Sequence, residues 1–196
     1  MNDHEQQQPA PRRGKVLEAL ARAERKVFTR PAPKSAKACM KFLRTRERGS
    51  TKAVAERLGT SRRTVERYLA GKLKNPQKRL QAALVEETES EWQPQVRAQA
   101  REQAATSSGM MVDVTAHFGF TCTGSSDDGR ERTITTAISP TYAKQILELQ
   151  EAGATEEELH PIVAAAITES YFTEWGTRTD GLRADFTDVQ SIEFRF

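Results

Sequence analysis

The residues of this 196-residue chain that could do chemistry form two groups. The first is cationic. Ser61, Arg62, Arg63, Glu66 and Arg67 recur at spacings that bring them to the solvent face of one short helix, with Lys52, Lys72 and Lys74 flanking it. A planar guanidinium can pair bidentately with a guanine edge, and flanking ammonium groups suit phosphates, which they hold without specifying sequence. The second group is hydroxylic. Thr121-Cys122-Thr123-Gly124-Ser125-Ser126-Asp127-Asp128 gathers four hydroxyls beside two carboxylates. The same composition describes a solvated turn, because Ser, Asp and Gly are ordinary turn residues. His4, His117 and His160 share no helix face, and Cys39 and Cys122 stand alone without metal-ligand spacing. No metal site, no intrinsic cofactor, no catalytic set and no disulfide is expected, and both thiols read as reduced.

The cationic group needs a helix-turn-helix to position it, and Thr51–Gly71 (TKAVAERLGTSRRTVERYLAG) has the pattern of one. Val54 and Leu58 on the first helix face Val65 and Tyr68 or Leu69 on the second. Ala55 permits a close crossing. Gly59 falls at the turn, where a positive φ is easiest for glycine. Thr60 or Ser61 can cap the second helix, whose first residues would reach base edges in a major groove. An ordinary helical hairpin with a solvated basic face is the plainer reading of the same residues.

Charge divides the chain. Residues 1–105 hold 24 Lys and Arg against 12 Asp and Glu, and residues 106–196 hold 6 against 15. A basic half suits a polyanion and an acidic half is repelled by it, so two domains with different partners are expected. A mean hydropathy of −0.68 and the absence of any long apolar run imply no membrane partner and a cytoplasmic protein, which the DNA-binding reading would make nucleoid-associated. The expected class is α+β: a disordered arm over 1–12, an all-helical DNA-binding domain over 13–105, a linker at Thr106–Gly109, and a small antiparallel β-β-α-α-β domain over 110–196.

Helical spacing of Val16, Leu20, Ala23 and Val27 predicts a first helix in the DNA-binding domain, and a second is expected over Ser35–Arg46. Asn75 and Pro76 read as N-cap and first position of a helix burying Leu80, Ala83 and Leu84, with a break near Trp92 before Pro94. Val112, Val114, Ala116, Phe118 and Phe120 alternate with polar residues and predict a strand. Arg130–Ile138 is a second strand, joined to the first by the hydroxyl-rich loop over 121–129. Helices follow from Ser139-Pro140 to Gly153 and from Thr155, which forms a capping box with Glu158, to about Phe172. Pro161 is expected to kink the latter, and Ile192, Phe194 and Phe196 mark a third strand.

Longer stretches resemble one family. Phe28-Thr29-Arg30-Pro31, Pro33-Lys34-Ser35-Ala36, Gly49-Ser50-Thr51-Lys52-Ala53-Val54-Ala55, Arg63-Thr64-Val65-Glu66-Arg67-Tyr68 and Trp92-Gln93-Pro94-Gln95-Val96-Arg97-Ala98 are similar to the terminal proteins (Tpg) of linear Streptomyces chromosomes and plasmids. So are Phe118-Gly119-Phe120-Thr121, Gly153-Ala154-Thr155-Glu156 and Tyr171-Phe172. The arm at the N-terminus is longer than that pattern. The resemblance implies a protein covalently bound to 5′ ends of linear replicons that primes telomere end-patching. It would act on telomeric DNA with a telomere-associated protein (Tap) and a DNA polymerase that carries the Mg2+. The resemblance also implies linkage through a threonine beside an Asp-Asp pair, a position where this sequence has serine. Aligning on Asp127-Asp128 carries that position to Ser126, with Ser125, Thr123, Thr121 and Thr115 as alternatives. On the residues alone, a helix-turn-helix transcriptional regulator with a C-terminal dimerisation or sensing domain stands beside this reading, and self-association is open in both. A Tyr-linked strand-cutting initiator fits less well, because Tyr68, Tyr142 and Tyr171 all fall on predicted helices.

Overall fold

The computed structural model describes residues 14–121, 130–174 and 183–196, with side chains left out at Phe120, Thr121, 172–174 and 183–186. The expected arm over 1–12 and the candidate hydroxyls of Thr121, Thr123, Ser125 and Ser126 lie outside what is described. The elements follow the order α1 (Lys15–Lys26), α2 (Ala36–Arg46), α3 (Thr51–Arg57), α4 (Arg62–Leu69), α5 (Lys78–Ser90), α6 (Pro94–Gln103), β1 (Met110–Thr121), β2 (Arg130–Ile138), α7 (Pro140–Glu151), α8 (Glu156–Glu174) and β3 (Arg183–Arg195). The chain is mixed helix and antiparallel sheet, as an α+β class requires. It divides into two compact units, residues 28–98 and residues 1–27 with 99–196.

The sheet unit has strand order β2-β1-β3, with both pairings antiparallel. Alternation along β1 sends Met110, Val112, Val114, Ala116 and Phe118 into one core with Ile134 and Ile138 of β2 and Val189, Ile192 and Phe194 of β3. Ala143, Ile146 and Leu147 of α7 and Leu159, Val163 and Ile167 of α8 complete it. The pairing of β1 with β3 shifts register between Thr115 and His117, where β3 carries Asp188 at φ 50.

Two boundaries differ from the sequence expectation, for packing reasons. First, α1 belongs to the sheet unit. Its amphipathic face, Val16, Ala19, Leu20 and Ala23, is buried in the sheet core, and periodicity says that a face is apolar, not what covers it. Lys15 donates to the carbonyls of Val189 and Gln190, and Arg22 to that of Ile192 at 2.9 Å, so α1 occupies backbone acceptors along the edge strand β3. Second, Thr106–Gly109 is not a linker. A π-helical turn over Ala104–Ser108 continues α6, and Ala104 is fully buried in the sheet core. The division between units falls within α6, between Ala98 and Gln99. A third difference is local. The helix expected from Asn75-Pro76 begins at Lys78 with Gln77 as its N-cap, after Leu73 has packed on the helical core. Pro161 lies inside α8, which runs on through it.

The N-terminus of α1 has no cap of its own, since Gly14 lacks a side chain. Glu156 of α8 supplies it: its carboxylate accepts from Val16 N at 2.8 Å and Leu17 N at 3.1 Å. These are charge-assisted bonds at the positive end of a helix. His160 Nε2 lies 3.2 Å from the same carboxylate. The expected capping box is present, with Thr155 N donating to Glu158 at 2.7 Å; the Thr155 backbone and hydroxyl bonds hold the Glu158 carboxyl below its usual pKa. A Cβ at Gly14 would fall on the Glu156 side chain. Glu156→Ala is therefore expected to cost about 1–2 kcal/mol in urea denaturation. Gly14→Ala should cost a similar amount alone and little more in the Glu156→Ala background. Additive losses in that double-mutant cycle would show that the two positions act independently.

Candidate nucleic-acid interface

In the helical unit, α3 and α4 form the expected two-helix element. Val54, Ala55 and Leu58 pack with Val65 and Tyr68 in one cluster, closed by Ala36, Cys39, Met40 and Leu43 of α2 and Leu84 of α5. Ser50 caps α3 by accepting from Ala53 N at 3.1 Å, and Ser61 caps α4 by accepting from Thr64 N at 3.1 Å. Between them α3 ends in a Schellman motif: Thr60 N donates to Ala55 O at 2.9 Å and Gly59 N to Glu56 O at 3.2 Å. Gly59 has φ 59, and Gly71, with φ 74, ends α4 in the same way. The expected turn glycine is present for the expected reason.

The residues expected at a DNA surface separate into three kinds. Arg63, Arg67, Lys72 and Lys74 are exposed, and among the described residues none is in ion-pair contact with a carboxylate. Arg62 and Glu66 pair with each other at 2.8 Å, and Lys52 pairs with Glu56 at 3.8 Å. Such exposed i,i+4 pairs are worth about 0.3–0.5 kcal/mol and yield easily to a stronger partner. Ser61 spends its hydroxyl on the cap and on Thr64 Oγ1, 2.8 Å away, so its first role is to start α4.

One residue central to the element has no local sequence signature. Arg57, at the end of α3, is 24% exposed and reaches three glutamates: Glu87 at 2.5 Å, Glu47 at 3.1 Å, and Glu91. Glu87 lies on α5, and Glu47 and Glu91 follow α2 and α5. Burial disfavours the guanidinium charge, but the hydrogen bonds it donates to Glu87, Glu91 and Glu47 outweigh this and hold its pKa above the usual value. The available signal is compositional: residues 86–91 hold four glutamates in a basic segment. Nearby, Phe42 packs edge-on against Trp92 at 5.2 Å, and Trp92 Nε1 donates to Arg30 O at 2.9 Å. Burial raises the pKa of the Cys39 thiol, keeping it protonated within the core. Cys122 lies outside the described residues.

In the sheet unit, Thr115 of β1 is described. It lies on the sheet face opposite the core, its Oγ1 3.0 Å from that of Thr133, with Ser191 in register on β3. Tyr68, Tyr142 and Tyr171 lie on α4, α7 and α8. Tyr68 is buried, and burial and the Glu169 charge push Tyr142 up in pKa, so Tyr142 offers no ready phenolate. Among the described residues no helix is long and apolar enough to cross a membrane, and no three His, Cys, Asp or Glu side chains are grouped to hold a metal ion.

Compared with protein-family models, curated proteins and solved structures, the chain matches none. What defines the interface is the geometry of α3 and α4 themselves.

Two substitutions probe that geometry. At Gly59 a Cβ would meet nothing within 4 Å, so Gly59→Ala isolates the backbone strain of a left-handed alanine, about 1 kcal/mol in a urea melt. Arg57→Met should cost more, about 2 kcal/mol, because it leaves three carboxylates facing one another. An unchanged melting midpoint for Arg57→Met would mean that the three glutamates do not depend on it.

Proposed function

We propose that this chain binds duplex DNA through α4 and serves as a terminal protein. It would be joined to 5′ ends of linear replicons and supply the hydroxyl that primes end-patching. One observation carries the DNA contact. Arg63 and Arg67 stand one helical turn apart on the exposed face of a capped helix, unpaired with any described carboxylate, while the other face of that helix is buried. In a major groove such residues can read guanine O6 and N7, with Lys72 and Lys74 on phosphates. With α1 counted in the sheet unit, the division of charge persists but narrows. Residues 28–98 hold 17 Lys and Arg against 7 Asp and Glu, a net +10, and the remainder of the chain is net −7.

The priming role rests on the sequence resemblance, and the chemistry it requires is modest. A Ser or Thr oxygen attacks the α-phosphorus of a deoxynucleoside triphosphate, a phosphodiester forms and pyrophosphate leaves. The hydroxyl proton passes to a base of the polymerase, which also holds the Mg2+ ions. This chain need only place its hydroxyl where a primer end would lie. The segment between β1 and β2, with Ser126 as first candidate and Ser125, Thr123 and Thr121 beside it, suits that task. Thr115 is the alternative on the sheet itself. Telomeric DNA, Tap and the polymerase are the partners this role requires, in a nucleoid-associated protein of the cytoplasm.

The test has two readouts. Arg63→Ala with Arg67→Ala should weaken binding to a preferred duplex at least tenfold by fluorescence anisotropy. Incubation with polymerase, telomere template, Tap and labelled nucleotide should give label that survives boiling in SDS and is lost in Ser126→Ala. Label retained in Ser126→Ala moves the site to one of the alternatives. No label on any template, with tight binding to an internal palindrome, would replace the priming role with that of a transcriptional regulator.

A further inference from the structure

The exposed face of α2 carries Lys37, Lys41 and Arg44 at i, i+4 and i+7, followed by exposed Arg48, while Ala36, Cys39, Met40 and Leu43 fill the core from the opposite face. The helix contains no acidic residue, and among the described residues neither Lys37 nor Lys41 is in ion-pair contact. Like charges one turn apart cost a helix a few tenths of a kcal/mol, so Lys37 and Lys41 bring α2 no internal benefit.

Its position is specific. The Lys37 ammonium lies 3.7 Å from where a Cβ would stand on Gly71, the residue that ends α4 and precedes Lys72. At the other end, Arg44 Nε donates to Gly49 O at 3.1 Å, just before Ser50 caps α3. The stripe thus runs along the flank of the α3–α4 pair, from the end of one helix to the start of the other. From Lys37 to Arg44 it covers about 10 Å of helix axis, the axial rise of about three phosphates on one DNA strand.

We infer that α2 is a second contact with duplex DNA, in which Lys37, Lys41 and Arg44 lie along the phosphates of one strand beside the groove that α4 enters. This rests on the DNA reading given above. The contact is electrostatic and indifferent to sequence: it adds affinity and fixes the angle of approach, and leaves base choice to Arg63 and Arg67.

The experiment measures affinity of the full chain for a fluorescein-labelled random-sequence duplex of about 24 base pairs, across a salt series. Each phosphate contact contributes about 0.9 to the slope of log affinity against log salt, so Lys37→Ala with Lys41→Ala should lower the slope by about 2 and weaken binding roughly tenfold or more at physiological salt. Preference for the specific duplex over the random one should stay within about twofold of the parent. The equally exposed pair at the start of α5, changed as Lys78→Ala with Arg79→Ala, should leave the slope within about 0.5 of the parent. An unchanged slope in Lys37→Ala/Lys41→Ala, while the parent binds, overturns the α2 contact alone. An equal fall in the α5 variant overturns it too, because net charge would then account for the effect. A parent with no salt-dependent DNA binding overturns both this contact and the DNA reading. Both lysines are solvent-exposed, and circular dichroism melts within about 2 °C of the parent confirm that a lost slope is not lost fold.

Discussion

Arg57 is the interaction on which the helical unit turns. Two short helices of seven and eight residues cannot stand alone in water, because nucleating each costs more than its few hydrogen bonds return. Apolar packing of Val54, Leu58, Val65 and Tyr68 holds the pair together. Arg57 then ties α3 to glutamates on and after α5 and after α2. A planar cation with five donors can satisfy three carboxylates at once, which a lysine's compact charge does less well. Three of the unit's seven glutamates are gathered onto this one residue, and Arg63 and Arg67 of α4 and Lys37 and Lys41 of α2 are left to face outward.

The sheet unit solves a different problem. Three strands have two edges, and β3 is one of them. Helix α1 lays its apolar face on the core and its basic side chains on the β3 carbonyls, while Glu156 closes the amide groups at its N-terminus. Arg101 adds a further tie, binding Glu24 of α1 and the Leu147 carbonyl of α7 at 2.7 Å.

How much of this is legible in the sequence depends on the range of the interaction. Period-two alternation from Val112 to Phe120 reveals β1 because one face of the sheet is wet, and the Gly59 turn is readable because a left-handed position favours one residue type. Caps such as Ser50, Ser61 and Thr155 are three residues from what they bind, so they too can be read. Arg57 and its glutamates are 10, 30 and 34 residues apart, and Glu156 is 140 from Val16. No local pattern encodes such pairs, which is why α1 reads as part of the wrong unit and nothing in the sequence singles out Arg57. The candidate site divides in the same way: Arg63 and Arg67 follow from helical spacing, whereas the α2 stripe acquires meaning only once Gly71 and Gly49 are seen at its ends.

The placement of α1 makes the sheet unit discontinuous, with residues 28–98 inserted between its first helix and everything that helix touches. Chains emerge from the ribosome N-terminus first, at about 5–20 residues per second. The helical unit can therefore close while synthesis continues, its partners all lying within one continuous stretch. Helix α1, made earlier, must wait for residue 156 to cap it and for 189–194 to bury it. For several seconds the nascent chain would carry a finished basic unit flanked by an amphipathic helix with nothing to cover it, an interval in which a chaperone, or nucleic acid already at hand, could reach the protein before its acidic half exists.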